Sequence, residues 1–321
     1  MSSRLRSRPG SKAVVTGGAG FIGSHLVQRL VADGAEVMVI DDLSTGRREN
    51  LDGVSVTIAE RDLAGDAVTD LLAEVDVVFH LAAVPSVPRS VREPMRSHQA
   101  AATATLRLLD AAREAGVRTF VNSSSSSVYG DVASPPMRES MPTVPRSPYA
   151  VAKLAAEGYT RVFAQLHGMR TVSLRYFNVF GPRQDPTSTY AAAIPRFISA
   201  YLRREQPQVF GDGMQSRDFT YVDNVVEANL AAAAAPKLSG ESVNIAAGNP
   251  RTVLQVLEAI SREFGYSLPP LHAPERPGDI RDSHADLSLA RSLFGYRAVI
   301  DFQTGLRRTV EFLREASTVR S

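Results

Sequence analysis

Thr16-Gly17-Gly18-Ala19-Gly20-Phe21-Ile22-Gly23 follows directly on the apolar run Ala13-Val14-Val15 and leads into apolar positions at Ile22, Leu26 and Leu30. A short apolar run, a glycine-rich turn and then helical spacing read as strand, turn and helix. Glycines at 17, 20 and 23 let the backbone turn tightly and approach a pyrophosphate. The charge of that group then meets free N–H groups and the positive end of the helix dipole. Asp41 closes the next strand-like run, where this pattern requires an acid for the adenine ribose. The stretch predicts a dinucleotide site formed by Gly17, Gly20, Phe21, Ile22, Gly23 and Asp41. Asp41 and Asp42 would repel a 2′-phosphate, which favours NAD over NADP, although Arg47 and Arg48 follow closely and weaken that preference.

Outward from this turn the same rhythm continues. Residues 13–16, 36–40, 54–58, 76–81, 119–123 and 171–176 read as strands, with helical spacing between most of them, as in Leu106, Leu109 and Ala112. Such βαβ alternation predicts an α/β fold, a Rossmann-type doubly wound parallel sheet covered on both faces. Asp62 and Leu63 after the third strand, and Leu81, Ala82 and Ala83 after the fourth, are expected along the cofactor channel, whereas His80 is expected to pack. Beyond Tyr176, Gly181-Pro182, Asp185-Pro186 and Gly211-Asp212-Gly213 break the chain into short pieces. The expected division is a loose tail at 1–11, a dinucleotide-binding domain at 12–178 plus 218–245, and a smaller α/β substrate-binding lobe at 179–217 plus 246–321. Segments 218–222, with the helix 223–235 after it, and 242–245 are expected to return to the main sheet.

Composition excludes several classes of function. The 36 basic and 34 acidic residues leave a formal charge of +2, too balanced for a protein held to nucleic acid mainly by phosphate contacts. Zero cysteines exclude disulfides, thiolate zinc sites and cysteine nucleophiles. The six histidines form no paired ligand motif, so no metal is expected. No apolar run approaches the roughly 18 residues that span a bilayer, and the apolar stretch after Arg4, Arg6 and Arg8 is too short for a signal peptide. A cytoplasmic protein without membrane partner is expected.

The reactive residues stand in Ser147-Pro148-Tyr149-Ala150-Val151-Ala152-Lys153. Serine suits the N-cap of a helix and proline its first turn, so Tyr149 and Lys153 share one face at i, i+4 spacing. With nine tyrosines and three lysines among 321 residues, about 0.1 such pair is expected by chance. A phenol has an ordinary pKa near 10, and lowering it to about 7 takes roughly 4 kcal/mol of preferential stabilisation of the anion. An ammonium together with a cationic nicotinamide ring is a source of that size. Ser125, at the end of the fifth strand, would bridge the phenol and a substrate hydroxyl.

Together with these, Arg175-Tyr176-Phe177-Asn178-Val179-Phe180-Gly181-Pro182 and Ser216-Arg217-Asp218-Phe219 resemble an extended short-chain dehydrogenase/reductase of the UDP-glucose 4-epimerase family, over about residues 12 to 315. The resemblance implies NAD as cofactor, Ser125, Tyr149 and Lys153 as catalytic residues, Tyr176 beside the cofactor, and a UDP-sugar as substrate. It implies oxidation at C4, rotation of the 4-keto sugar and hydride return to the other face. It also implies a homodimer, usually through helices such as 100–115 and 149–167.

Further site residues follow from the same resemblance. Asn178, Arg217 and Arg276 would contact the diphosphate, Asp279 the uridine ribose, and Phe210 would stack on uracil. Ser283 matches a position that controls room beside the sugar, and a small side chain there suggests a sugar bulkier than glucose. Dehydratases of this fold carry an Asp-Glu pair where this chain has Ser126 and Ser127, and decarboxylases carry a glutamate matching Ser127; here only hydroxyls are available, to hold a polar group of the sugar. The Asn178 segment resembles UDP-N-acetylglucosamine 4-epimerases. The serine-rich run resembles UDP-glucuronate 4-epimerases, which however tend to carry threonine and arginine at positions 178 and 185. Ala101 and Ala104 replace the asparagine and glycine usual in the helix before the fifth strand. The alternatives are a dehydratase, decarboxylase or reductase of the same fold acting on a nucleotide sugar, and a non-catalytic NAD-binding protein.

Overall fold

The computed structural model describes residues 10–130, 135–186, 192–275 and 281–318. Six strands, β1 (Lys12–Thr16), β2 (Glu36–Asp41), β3 (Thr57–Glu60), β4 (Val77–His80), β5 (Thr119–Ser125) and β6 (Arg170–Tyr176), join the strand Glu241–Ile245 in one sheet. All pairs are parallel, and from one edge the order is Glu241–Ile245, β6, β5, β4, β1, β2, β3. Val14, Val39, Val78, Phe120, Val121, Val172 and Val243 are all but sealed from solvent, as a parallel sheet covered on both faces requires. The strand order reverses between β1 and β4, which leaves a crevice at their carboxyl ends.

The turn from β1 into α1 (Phe21–Ala32) is held by close packing at two glycines. Gly17 has φ +66°, and a Cβ there would lie 2.7 Å from the Ala82 nitrogen. At Gly23 a Cβ would lie 2.1 Å from the Gly17 carbonyl oxygen. The helix Pro148–His167 starts at Ser147, whose hydroxyl accepts from the Ala150 N–H at 3.2 Å, and stops at Gly168 in the left-handed conformation.

A second apolar cluster lies apart from the sheet, built on Phe180, Ile194, Phe197, Ile198, Tyr201, Val209, Val256, Ile260, Leu306 and Val310. Its framework is the helices Ala193–Leu202, Val253–Phe264 and Phe302–Thr318, with short strands such as Gln208–Phe210, Ser216–Arg217 and Asp282–Ser283.

Two expectations are corrected. The third strand begins at Thr57, because β3 pairs only with the end of β2, from Met38↔Thr57 onward, and residues 54–56 have no strand partner. Segment 218–222 does not return to the main sheet: Thr220 and Tyr221 pair with Val179 and Phe180, while the sheet edge is taken by Glu241–Ile245. Asp218 fixes this path by accepting from the N–H groups of Ala247 and Gly248 at 3.0 and 3.1 Å. The helix before β5 opens with a π-helical segment, Gln99–Thr103, before Ala104–Glu114. There the Thr105 hydroxyl donates to the Ala101 carbonyl at 2.6 Å and so competes within the helical ladder.

Two glycine substitutions should move stability in opposite directions. Gly23→Ala puts a methyl against the Gly17 carbonyl and is expected to cost about 1–3 kcal/mol. Gly158→Ala, at an exposed mid-helix position with nothing within 4 Å of the new Cβ, is expected to add about 0.5–1 kcal/mol. Thermal denaturation followed by circular dichroism measures both.

Candidate active site

The carboxyl ends of the sheet open into a cleft of about 1730 Å³. This exceeds the several hundred Å³ of a single small-molecule pocket and leaves room for two ligands. Its walls include Gly17, Gly20, Phe21, Ile22 and Gly23 from the first turn, then Asp41, Asp42, Asp62 and Leu63, and Leu81, Ala82 and Ala83 after β4. Ser125, Ser126, Ser127, Tyr149, Lys153, Tyr176, Asn178, Arg217 and Ser283 line it as well. One candidate is not brought to it. Phe210 is absent from the described walls and its ring lies under the Arg196 guanidinium, 5.5 Å away. Arg276 and Asp279 lie outside the described residues.

At the dinucleotide end, the first turn of α1 presents backbone N–H groups with no side chain capping them. The cradle that Cβ atoms at Gly17 and Gly23 would fill is shaped for close approach of a pyrophosphate, so these residues fit a dinucleotide. Asp41 is 6% exposed, and its carboxylate accepts from the N–H groups of Ala19 and Leu43, each at 2.9 Å. It thereby ties the glycine turn to the loop after β2, and burial pushes its carboxyl above the ordinary range. Asp42 accepts from the N–H and hydroxyl of Ser44. The two arginines that weakened the preference for NAD are both engaged with carboxylates, Arg48 with Glu60 at 2.7 Å and Arg47 with Asp185 at 3.6 Å.

The reactive end is built by β5 and the helix Pro148–His167, which pack against one another. Ser125 accepts from the Ser127 N–H at 3.2 Å, capping the turn Ser126–Tyr129. The Lys153 amine donates to the Ser123 carbonyl at 2.7 Å and to the Ser123 hydroxyl at 3.2 Å. Burial lowers this amine to about 8, opposed by the charge of Glu157. Burial also pushes the Tyr149 phenol up to about 12, and a hydrogen bond with Ser125 pulls it back. The side chains of the protein therefore leave the phenol above its ordinary value. The expected fall toward neutrality has to draw on the charge of the cofactor. Tyr176 shares hydrogen bonds with Asn229 at 2.9 to 3.0 Å, and burial pushes its phenol upward.

His80 behaves as a structural residue. Its Nε2–H meets the Thr105 oxygen at 3.0 Å and its Nδ1 meets the Thr16 hydroxyl at 2.7 Å, an assignment that follows because Thr105 already donates to Ala101. Burial holds it neutral, with its pKa lowered to about 3. Ala101 is buried away from the cleft, while Ala104 lines it.

Several wall residues escaped the sequence reading. Ser123 contributes a backbone carbonyl, which no residue type announces. Arg89 comes from the short helix Val87–Arg92, and Arg183 and Gln184 come from the Gly181-Pro182 turn. That turn stood out in the sequence only as a chain break. Ser127 Oγ is buried with no hydrogen-bond partner among the described residues.

The profile of the NAD dependent epimerase/dehydratase family matches residues 13–246. A UDP-glucose 4-epimerase of Mycolicibacterium smegmatis is 40% identical over 313 residues, covering 95% of this chain and 99% of the relative. A UDP-N-acetyl-alpha-D-glucosaminuronate decarboxylase of Bacillus cytotoxicus is 32% identical over 95% of this chain and 98% of its own. Among solved structures, a UDP-N-acetylglucosamine 4-epimerase from Methanobrevibacter ruminantium in complex with UDP-N-acetylmuramic acid superposes with a TM-score of 0.92 at 42% identity, covering 96% of this chain and 99% of that one. With the profile spanning most of the sheet and relatives matching nearly end to end, the chain belongs to the NAD-dependent epimerase/dehydratase family of extended short-chain dehydrogenase/reductases, and its cofactor is NAD.

Proposed function

We propose that this protein is a UDP-sugar 4-epimerase. The observation that carries the reading is the run from Ser123 to Ser127, which lines the cleft with Tyr149 and Lys153 and offers hydroxyls alone. Eliminating water from a sugar needs an acid for the leaving hydroxyl besides the base, and no acid stands at 126 or 127. One base beside a hydride carrier is enough for reversible oxidation of a secondary alcohol. The same absence of an acidic side chain separates this chain from the decarboxylating relatives.

NAD held at the glycine turn would supply a reversible acceptor for the C4 hydrogen as hydride. The protein does the rest. Tyr149 takes the proton of the C4 hydroxyl and gives it back after the ketone has turned over. Ser125 holds the same oxygen and the phenol in one hydrogen-bonded row. Lys153, anchored on Ser123, stabilises the phenolate from its own helix. On this reading, turnover yields no net NADH, water or carbon dioxide.

For the nucleotide, Asn178, Arg217 and Arg276 are assigned to the diphosphate, Asp279 to the uridine ribose, and Ser126, Ser127 and Ser283 to the sugar. Ser283 stands across from Arg217 in the short-strand register, buried and lining the cleft, and its small side chain supports a sugar larger than glucose. An N-acetylated sugar is favoured over a glucuronate because position 185 holds a carboxylate, already paired with Arg47, rather than a cation for a sugar carboxylate. UDP-glucuronate is the second reading, favoured by Ser127 Oγ, a buried hydroxyl in the cleft with no described partner.

The protein is also assigned as a homodimer. Val151, Tyr159, Val162 and Leu166 leave an exposed apolar stripe on the helix Pro148–His167, and Val91 and Met95 continue it on the adjoining short helices. Such a patch on a soluble surface marks an interaction site.

Incubation with UDP-glucose, UDP-N-acetylglucosamine and UDP-glucuronate, followed by separation of epimers, is expected to give C4 epimers with UDP-N-acetylglucosamine turned over best; a product of altered mass would refute the assignment. Tyr149→Phe is expected to retain NAD and UDP-sugar while turnover falls by about 10²-fold or more, the scale of a lost general base. Unchanged turnover would remove Tyr149 from its role. Val162→Glu with Leu166→Glu is expected to convert dimers to monomers in light scattering, and a monomeric unaltered protein would dismiss the dimer.

A further inference from the structure

The most deeply buried ion pair among the described residues has no part in the chemistry outlined above. Arg175 and Glu157 have side chains only 4% and 2% exposed. Arg175 donates from Nε to Oε1 of Glu157 at 2.9 Å and from Nη2 to Oε2 at 2.7 Å. Ser124 donates to Oε1 at 2.5 Å and Ser242 to Oε2 at 2.8 Å. Four donors from β5, β6 and the strand Glu241–Ile245 thus hold this carboxylate as a fixed anion.

Its position on the helix matters. Tyr149, Lys153 and Glu157 follow one another at i, i+4 and i+8, a single stripe on the helix Pro148–His167. The Lys153 amine is sealed in the same interior, 3% exposed, and its two hydrogen-bond acceptors on Ser123 are uncharged. Burial of this kind favours the neutral amine unless an anion stands near. The titratable and charged groups around it are Tyr149 and Glu157 on its own helix, His80 on β4 and Arg175 on β6. His80 is neutral, and Arg175 is tied to Glu157 with its guanidinium 4.8 Å above the Tyr129 ring. Glu139, beyond them, accepts from the Asn244 N–H at 2.8 Å. Among the described residues, Glu157 is the carboxylate whose charge acts on the amine.

We propose that Glu157, clamped by Arg175, Ser124 and Ser242, is a positioning residue that keeps the Lys153 side chain protonated and held beside Tyr149. Its importance for turnover rests on the epimerase reading; its effect on the lysine does not.

Three lysines in the whole chain make the lysine directly observable. In NAD-loaded protein labelled at lysine Cε, Lys153→Met identifies the Lys153 resonance, and titration by NMR gives its midpoint. Glu157→Gln is expected to lower that midpoint by about one pH unit or more, as expected for loss of a nearby opposite charge. With it, kcat for the UDP-sugar should fall about tenfold or more while KM changes less than about threefold. If Glu157→Gln does not fold by circular dichroism, the double variant Glu157→Leu with Arg175→Met replaces the pair by apolar side chains and should show a smaller downward shift, because the arginine charge leaves with the carboxylate. An unchanged lysine midpoint in either folded variant overturns the proposal. A shifted midpoint in a protein that epimerises no UDP-sugar would refute the proposed function and leave this inference standing.

Discussion

Parallel strands end where their neighbours end, and that single constraint assembles the site. With β1, β4, β5 and β6 all running one way, the glycine turn, Ala82, Ser125 and Tyr176 arrive at the same edge of the sheet from four distant parts of the chain. The register of β5 on β6 pairs Ser124 with Arg175 and Ser125 with Tyr176. The helix Pro148–His167 then sets its reactive stripe against that row. No loop has to be placed accurately for the tyrosine to meet the serine.

Burial governs the electrostatics of this edge. It raises both phenols, lowers the lysine and keeps His80 uncharged, and in each case the neutral form is the one that water exclusion favours. Buried carboxylates stand where donors are dense, as at Glu157 and at Asp218. The site is accordingly a place where one additional charge weighs heavily, since little solvent is present to screen it.

What the sequence made legible were features in which local spacing equals spatial arrangement. The glycine turn after β1 is one, because Gly17, Gly20 and Gly23 lie within seven residues and form one piece of backbone. Tyr149 and Lys153 are another, since one helical turn puts them together. Features that depend on pairing between distant segments were read less well. Residues 54–56 carry the alternation of a strand, yet β2 offers them no partner. Thr220 and Tyr221 look like a returning core strand, but Asp218 is pinned by the N–H groups of residues 247 and 248 and the chain turns toward Val179. Phe210 is aromatic and follows a turn-rich stretch, but which face of its short strand meets the cleft is decided by Arg196 and the partner strand Leu271–Ala273. The Ser123 carbonyl that anchors Lys153 is backbone, invisible to any reading of side chains.

The helix Pro148–His167 is one rod about 10 Å thick, with the reactive stripe on its inner side and Val151, Tyr159, Val162 and Leu166 on its outer side. Glu157 rivets the inner side to three strands, so the rod cannot slide or roll without breaking buried hydrogen bonds. Whatever presses on the outer side therefore pushes against the whole sheet rather than against a hinge. An exposed apolar face and the candidate catalytic stripe share a wall in this molecule, and the buried hydrogen bonds make that wall stiff.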